Sequence, residues 1–335
     1  MPTLHDVARH AGVSIATVSR VLRNLPSVTP ETRERVLLSV DALGYAPNPI
    51  GQALRAGHIN AVALLVGDIG QGWYASLTRD MQVLLEREGM DLVLFNLGRS
   101  ESRLNEVVER VISLRLRAVA LATSDQIPSA TIARIWRRLA EAGIVFIAIG
   151  HRVDGLGMPS IVYDDEEAGA RAVSHLAQRG FAPIAYMGRI EKSMTGQVRF
   201  AGYLRGLIQN GLERDPSLEW SQTDSFRFTA GYNTMLDVRR RGVNFRSLIA
   251  SSDELALGAM AAALDLKLRV PEDVAIIGFS GLEWAGYVRP ALTTLDADTA
   301  AIAEQFSIGL KSALAGSSDS ISAVIPRRLV LRDSA

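Results

Sequence analysis

The chain of 335 residues contains no cysteine. This absence excludes disulfide bonds and thiolate chemistry, and it suits the reducing environment of a cytoplasm. Aromatic residues make up only 6% of the chain, and its 36 basic and 36 acidic residues cancel to a formal net charge of zero. Because zero net charge gives no overall attraction to nucleic acid, a function of that kind has to depend on a local motif.

The sequence also lacks a long apolar run. No segment approaches the roughly 20 apolar residues that a transmembrane helix needs. Polar residues interrupt the N-terminal segment, whereas a secretory signal needs an unbroken apolar stretch; the interrupting residues are Asp6, Arg9, His10, Ser14 and Ser19. We therefore expect a cytoplasmic protein without a membrane partner.

Several enzyme motifs are absent as well. The sequence has no Gly-x-Ser-x-Gly nucleophile elbow and no Gly-x-x-x-x-Gly-Lys phosphate-binding loop, and its five histidines show no metal-ligand spacing. The acidic run 164–167 is explained by a helix cap with favourable charges at a helix N-terminus. We expect no enzymatic activity, no metal and no cofactor.

The first 46 residues have the pattern of three short helices. Thr3 is placed to cap a first helix that Gly12 ends, and Ser14 to cap a second. The apolar residues of the second helix predicted to face inward are Val18, Val21 and Leu22. A third helix is predicted from Pro30 to about Leu43. Two short helices joined by a tight glycine-containing turn form a helix-turn-helix unit.

The outward face of the second helix favours DNA binding. A solvated helix face normally carries Glu and Lys, but this one carries small and hydroxylated residues with one arginine: Ile15, Ala16, Thr17, Ser19 and Arg20. Such a face allows close approach to a groove and to phosphates. A three-helix bundle without a ligand is the alternative, and residues 1–57 carry only a small basic excess, with six arginines against four acidic residues.

The run from Thr3 to Leu22, continued by Leu43-Gly-Tyr-Ala-Pro-Asn-Pro, resembles the DNA-binding domain of the lactose-repressor (LacI/GalR) family. The resemblance extends over nearly the whole chain. It implies a sequence-specific DNA-binding transcriptional regulator, a repressor, whose operator affinity is controlled by a small-molecule effector. The predicted DNA-binding residues are Thr3, Leu4, Ser14, Ile15, Ala16, Thr17, Ser19, Arg20, Asn24, Leu54 and Arg55.

These DNA-binding residues differ in their implied roles. The resemblance implies that Ile15, Ala16 and Arg20 contact base edges, while the hydroxyls of the second helix hold phosphates. Only Arg20 can make a bidentate contact to guanine. Residues 47–58 are implied to form a hinge helix that orders on the operator, with Leu54 wedged between base pairs in the minor groove and Arg55 beside it. A plain linker is the alternative for this segment.

From residue 59 onward, short apolar runs alternate with amphipathic helices. The runs are 61–66, 92–95, 118–122, 144–149, 160–163, 184–187, 247–250 and 274–279. This alternation indicates βαβ units in parallel sheets, and eight runs are many for one open sheet. We predict a periplasmic-binding-protein-like core of two doubly wound α/β subdomains, an N-subdomain of 59–159 and 292–322 and a C-subdomain of 160–291 and 323–335.

The effector is expected between the subdomains, because ligands of open α/β sheets bind beyond the carboxyl ends of the strands. The resemblance implies that Trp73 and Tyr74 line the pocket and that Arg199 clamps the effector. Further predicted contacts on the same grounds are Ser193, Thr195, Phe226 and Ser252. We expect Asp253 to be a structural N-cap.

Two departures from the family pattern concern the effector's charge. Ser280 replaces a carboxylate of the Gly-Phe-Asp-Asp motif, and Gly150-His-Arg replaces the carboxylate that follows the fourth strand. A pocket that loses two acceptors, keeps Arg199 and gains His151 or Arg152 favours an anionic ligand. We predict a sugar acid or related carboxylate, with a neutral sugar as the alternative.

The assembly follows from the DNA-binding unit. We expect a homodimer on a pseudo-palindromic double-stranded operator, because two-fold protein symmetry requires matching half-sites. The alternative function is that of a periplasmic-type sugar-binding protein without a DNA role. The helix-turn-helix pattern at residue 4 and the interrupted N-terminal segment argue against that alternative.

Overall fold

The computed structural model describes residues 2–22, 25–45, 57–98, 100–123, 125–152, 157–221, 225–317 and 322–335. The chain divides into two compact units, Met1–Ile59 and Asn60–Ala335. Each unit has its own hydrophobic core, and each is described by itself. None of the helices in the described ranges combines the length and the apolar character needed to cross a membrane.

The first unit contains the three predicted helices, α1 (Leu4–Ala11), α2 (Ile15–Leu22) and α3 (Pro30–Leu43). The expected cap of α1 and the predicted bounds of α3 are confirmed. The backbone N–H of Thr3 donates to the Asp6 carboxylate over 2.9 Å, and the Asp6 N–H donates back to the Thr3 hydroxyl over 3.4 Å. Gly12 ends α1 with a positive φ of 62°, a conformation that glycine adopts without steric cost.

A small valine-rich core fixes the angle between α1 and α2. Val7, Val18 and Val36 are completely buried, one from each helix. Val21 and Ala11 complete the contact, and the half-buried Leu22 packs against it, so the inward face predicted for α2 is confirmed. Since β-branched side chains have few rotamers, this core holds the outward face of α2 in one orientation.

The second unit contains two six-stranded sheets. The strands are β1 (Ile59–Val66), β2 (Asp91–Asn96), β3 (Leu116–Ala122), β4 (Val145–Ile149), β5 (Ser160–Tyr163), β6 (Ile184–Met187), β7 (Glu219–Trp220), β8 (Ser247–Ala250), β9 (Ala275–Ser280), β10 (Thr293–Asp296), β11 (Ser322–Ile325) and β12 (Arg328–Val330). The helices are α4 (Gly72–Arg87), α5 (Glu101–Leu114), α6 (Ser129–Glu141), α7 (Asp165–Gln178), α8 (Met194–Gln209), α9 (Phe228–Arg240), α10 (Asp253–Asp265) and α11 (Thr299–Leu314).

One sheet, with strand order β11-β5-β4-β3-β1-β2, forms what we call the N-lobe. Apolar side chains of α4 and α11, such as Leu77 and Phe306, pack on one face of this sheet. Side chains of α5 and α6, such as Val108 and Ile132, pack on the other face. Six consecutive residues of β1 are buried because both faces of the sheet are covered, which explains its continuous apolar sequence.

The other sheet, with strand order β12-β10-β9-β8-β6-β7, forms the C-lobe. Helices α7 and α8 cover one face, where Val173 and Tyr203 belong to the core. Helices α9 and α10 cover the other face, where Met235 and Leu255 belong to the core. The predicted architecture of two doubly wound α/β subdomains is therefore confirmed.

The predicted subdomain boundaries need correction. Strand β5 pairs with β4 in the N-lobe sheet, whereas we assigned residues 160–163 to the C-subdomain. Strand β10 pairs with β9 in the C-lobe sheet, whereas we assigned residues 292–322 to the N-subdomain. The expected last strand, 323–331, is two strands, since β11 pairs with β5 and β12 with β10. An apolar run predicts a strand, but it does not encode the partner with which that strand pairs.

The chain consequently crosses between the lobes three times. The crossovers lie between β5 and α7, between β10 and α11, and between β11 and β12. At the first and third crossovers, the backbone N–H of Arg327 donates to the carboxylate of Asp164 over 2.6 Å. Arg171 donates to the same carboxylate over 3.1 Å and to the carbonyl of Arg327 over 2.7 Å. The neighbouring crossovers are thus tied to each other by charged hydrogen bonds.

Candidate functional site

A cavity of about 50 Å³ lies in the cleft between the lobes. Its lining residues are Gln71, Trp73, Tyr74, Thr123, Ile149, Gly150, Tyr163, Thr195, Arg199, Phe226, Ser252 and Ser280. Seven of these residues come from the N-lobe and five from the C-lobe. Most of them follow the carboxyl end of a strand. This is where ligands bind in open α/β sheets.

Aromatic side chains form the N-lobe wall of this cavity. Trp73 lies edge-on to Tyr74, with ring centroids 5.0 Å apart, and edge-on to Tyr163 at 6.2 Å. The indole N–H of Trp73 and the hydroxyl of Tyr163 are buried, and neither makes a hydrogen bond of normal geometry within the described ranges. Burial raises the pKa of Tyr163, which therefore stays a neutral phenol. Both groups can donate hydrogen bonds to a ligand.

Arg199 provides the charged part of the C-lobe wall. Its side chain projects from α8 and is almost completely buried. One guanidinium nitrogen donates to the carbonyl of Ser251 over 2.5 Å, and the group lies 4.8 Å from the ring centroid of Phe279. The Nε atom lies 3.5 Å from a carboxylate oxygen of Asp165. Burial lowers the pKa of Arg199 and the Asp165 carboxylate raises it, but an arginine remains charged in a protein.

The only carboxylate that contacts Arg199 within the described ranges also contacts Arg327. Asp165 is the first residue of α7, and Arg327 lies in the third crossover. The Nε of Arg327 donates to the same carboxylate oxygen that faces Arg199. Burial raises the pKa of Asp165, but the two guanidinium groups outweigh that effect and hold its pKa below the usual value. This carboxylate is ionised and already paired.

Polar contacts join the lobes around the cavity. Arg227 of the C-lobe donates to the carboxylate of Asp68 over 3.0 Å and to the carbonyl of Gly70 over 3.1 Å. Glu254 accepts from the backbone N–H of Gly72 over 2.8 Å, at the N-terminus of α4. Arg189 and Asp125 form an ion pair across the cleft. These contacts connect the two sides of the cleft by charge-assisted hydrogen bonds.

The predicted cap of α10 is wrong. Ser252 is the N-cap residue, because its hydroxyl accepts from the N–H of Leu255 over 3.2 Å. The same hydroxyl donates to the carbonyl of Phe226 over 3.0 Å, which fixes a second residue of the cavity wall. Asp253 instead accepts from the N–H of Leu282 and the hydroxyl of Thr294, over 2.7 and 2.5 Å. Burial raises the pKa of Asp253 to about 6.

The cavity brings together most of the predicted effector-binding residues: Trp73, Tyr74, Thr195, Arg199, Phe226, Ser252 and Ser280. The structure does not place His151, Arg152 or Ser193 in its wall. His151 is completely buried against the carbonyl of Thr123, 2.5 Å away, and burial lowers its pKa, so it adds no positive charge to the cleft. Arg152 is exposed and donates to Ser322. Ser193 caps α8 by accepting from the N–H of Gly196 over 3.0 Å.

Four residues of the wall were missed in the sequence, Gln71, Thr123, Ile149 and Tyr163, whereas Gly150 was already considered a pocket position that lacks the family's carboxylate. Their position at or just after the carboxyl ends of β1, β3, β4 and β5 was the available signal. Asp165 was explained as part of a helix cap, yet the preceding Asp164 makes no capping hydrogen bond. Arg327 had no signal, since it lies inside the run 323–331 that we assigned to a single strand.

The outward face of α2 is the second candidate site. Ser14, Ile15, Ala16 and Arg20 are exposed, and Thr17 and Ser19 are half-buried. The hydroxyls of Ser14 and Thr17 lie 2.9 Å apart, and Ser14 caps α2 by accepting from the N–H of Thr17 over 3.1 Å. Thr3 is exposed and Leu4 half-buried at the start of α1. Asn24, Leu54 and Arg55 lie outside the described residues.

Family models match both units of the chain. The model of the bacterial regulatory proteins of the lacI family matches residues 3–48. The model of the periplasmic binding protein-like domain matches residues 173–335. The first match corresponds to the helix-turn-helix unit. The second covers most of the C-lobe and also α11 and β11 of the N-lobe.

Individual proteins match over most of the chain. The HTH-type transcriptional regulator GalR of Escherichia coli (strain K12) is 30% identical over 296 residues, which cover 88% of this chain and 84% of GalR. A transcriptional regulator CelR–cellobiose complex has 26% identity and a TM-score of 0.74, with 100% of both chains covered. A lac repressor dimer bound to operator and the anti-inducer ONPF has 22% identity and a TM-score of 0.87, covering 99% of this chain and 98% of that one.

Proposed function

Because the chain belongs to the lacI family of bacterial regulatory proteins and is a helix-turn-helix transcriptional regulator, we propose that a small anionic effector bound in the cleft controls its affinity for operator DNA. The protein acts as a repressor. The effector is a sugar acid or a related carboxylate. The cleft binds this ligand without transforming it.

The observation that carries this proposal is the buried Arg199 at the cavity wall. Its guanidinium faces a cavity in which no carboxylate is part of the lining. The neighbouring buried groups, the Trp73 N–H and the Tyr163 hydroxyl, are both hydrogen-bond donors. A wall that offers donors and a cation matches a ligand that offers acceptors and a negative charge.

The DNA-binding face of α2 supports the operator part of the proposal. Arg20 is exposed next to small residues, which leave room for the helix to enter the major groove. Ile15 and Ala16 contact thymine methyl groups, and the hydroxyls of Ser14, Thr17 and Ser19 bind phosphates. Thr3 and Leu4 at the start of α1, with Asn24, Leu54 and Arg55, complete the proposed interface.

A homodimer binds a pseudo-palindromic operator, because matching half-sites require two copies of the helix-turn-helix unit. Residues 1–46 form the DNA-binding domain, residues 47–58 the hinge, and residues 59–335 the effector-binding and dimerisation core. The effector acts through the three crossovers, since a ligand held by both lobes prefers one arrangement of the lobes over another.

The test combines effector binding with operator binding. A thermal-shift screen of neutral sugars, sugar acids, sugar phosphates and purines identifies a ligand, because binding to the native state raises the melting temperature. The screen is repeated with Arg199→Gln and with Arg205→Gln, a matched change on the exposed side of α8, where Arg205 pairs with Glu166. Fluorescence anisotropy on a selected operator then measures the effect of the ligand on DNA affinity.

We expect a melting-temperature shift with acids that Arg199→Gln abolishes and Arg205→Gln retains. Binding that is tightest for neutral sugars and indifferent to acids would contradict the anionic effector. A ligand that binds the cleft without changing operator affinity would contradict its regulatory role.

A further inference from the structure

Two arginines share a single buried carboxylate beside the cavity. Asp165, Arg199 and Arg327 are 5%, 9% and 3% exposed, so all three charges are removed from bulk water. Within the described ranges, Asp165 is the only carboxylate within ion-pair distance of either guanidinium group. The cluster therefore holds two positive charges and one negative charge.

The second arginine is bound more closely to the carboxylate than the first. The Nε of Arg327 makes a direct hydrogen bond to Asp165, whereas the Nε of Arg199 lies 3.5 Å from the same oxygen. Arg327 is also held by the carbonyl of Leu295, 3.4 Å from Nη1, and by the ring of Tyr163, whose centroid is 4.2 Å from the guanidinium carbon. These contacts fix Arg327 on the Asp165 side of the cluster.

The other buried carboxylates near the cleft have separate partners. Asp253 accepts from Leu282 and Thr294. Glu254 accepts from the N–H of Gly72. Neither forms an ion pair with Arg199, so the charge of Arg199 is offset directly only by its share of Asp165.

We propose that Arg327, by engaging Asp165, leaves Arg199 with an uncompensated positive charge and thereby makes the cavity selective for a ligand with one carboxylate. Arg327 does not line the cavity. It is a specificity-determining residue that acts through Asp165 and Arg199. This inference rests on the proposed function, since it names the residue responsible for the anionic preference of that same cleft.

The physical reason is the cost of an unbalanced buried charge. A buried cation is stabilised only when it is paired, and a bound carboxylate restores the balance of the cluster to two charges of each sign. Without Arg327, Asp165 and Arg199 would form a neutral pair. A ligand carboxylate would then compete with Asp165 for the guanidinium, and a neutral sugar would bind as well as an acid.

The test measures the preference for an acid over its neutral counterpart. Isothermal titration calorimetry gives the dissociation constants of D-glucuronate and D-glucose, and of D-galacturonate and D-galactose. The ratio within each pair cancels contacts to the shared hydroxyls. The proteins are the wild type, Arg327→Gln, Arg327→Lys and Arg328→Gln. Arg328→Gln is the matched control, because Arg328 is the next residue and pairs on the exposed surface with Asp296 and Asp298.

We expect the wild type and Arg328→Gln to prefer the acid, and Arg327→Gln to lose about tenfold or more of that preference, chiefly through weaker acid binding. Arg327→Lys keeps the charge and retains the preference. An acid preference that is unchanged in Arg327→Gln would overturn this inference while leaving the proposed anionic effector intact. A wild type that binds no acid, or that prefers the neutral sugar, would overturn both.

A second variant covers the case in which Arg327→Gln does not fold. Asp165→Asn removes the shared negative charge, so the excess in the cluster rises from one positive charge to two. The acid preference of this variant is expected to equal or exceed that of the wild type. Loss of the acid preference in folded Asp165→Asn would contradict the role assigned to the shared carboxylate.

Discussion

The buried carboxylate of Asp253 makes the stability of the core depend on pH in a direction unusual for an aspartate. Its side chain is completely buried at the start of α10. Burial raises its pKa from 3.8 to about 6, although the Thr294 hydroxyl and the Leu282 N–H both favour the ionised form. The folded protein therefore binds a proton at Asp253 more tightly than the unfolded chain does.

The sign of the pH effect follows from this difference. Well below pH 3.8 the carboxyl is protonated in both states, and its contribution to stability is fully present. As the pH rises from 4 through 6, the unfolded chain ionises freely while the folded protein resists ionisation, so stability is lost. A shift of about two pKa units corresponds to a loss of about 3 kcal/mol by pH 7.5.

The perturbation is Asp253→Asn, which removes the charge and keeps the shape. The amide oxygen can accept from the Leu282 N–H, and the amide nitrogen can donate to the Thr294 hydroxyl. Urea unfolding between pH 4 and 7.5 measures the free energies of both proteins, with Asp91→Asn as an exposed control at the start of β2.

We expect the free energy of unfolding of the wild type to fall by about 2.5 kcal/mol relative to that of Asp253→Asn between pH 4 and 7.5. The Asp91→Asn curve should run parallel to that of the wild type. Parallel wild-type and Asp253→Asn curves would refute the argument that burial controls the ionisation of this carboxyl.

Two further changes probe the DNA-binding face and the C-lobe. Arg20→Gln should reduce the difference in binding free energy between operators that differ at one base pair by about 1–3 kcal/mol, as measured by fluorescence anisotropy. Arg35→Gln on α3 is the control and should leave that difference unchanged. Gly202→Ala should cost about 1–3 kcal/mol in urea unfolding, because the new Cβ would lie 2.3 Å from the backbone oxygen of Glu166. Ala201→Ser, an addition of similar size on the exposed side of α8, should cost far less.

The sequence predicted elements whose cause is local. The capping box of Thr3 and Asp6 involves residues three positions apart, and the termination of α3 at Gly44 needs only the positive φ of that glycine. The eight apolar runs all form strands, because strands covered on both faces need apolar residues throughout. Most of the cavity wall was predicted from the family resemblance and from the rule that ligands bind at the carboxyl ends of strands.

The features that sequence reasoning missed depend on contacts distant along the chain. Asp165 and Arg327 are 162 residues apart, and no periodicity or spacing connects them. Whether Asp253 caps a helix or supports the loop at Leu282 depends on the position of β10, which we assigned to the wrong lobe. His151 and Arg152 were chosen for their charge, but burial of one and exposure of the other removed both from the cavity.

The three crossovers have a consequence for biosynthesis. Each sheet takes an edge strand from the last part of the chain, β11 beside β5 and β12 beside β10. During translation, neither lobe can complete its sheet until residues 322–330 have left the ribosome, and until then β5 and β10 expose unpaired backbone groups. A premature stop anywhere before residue 322 would thus leave two incomplete lobes instead of one intact lobe and one damaged lobe. Such a fragment would be prone to aggregation and degradation.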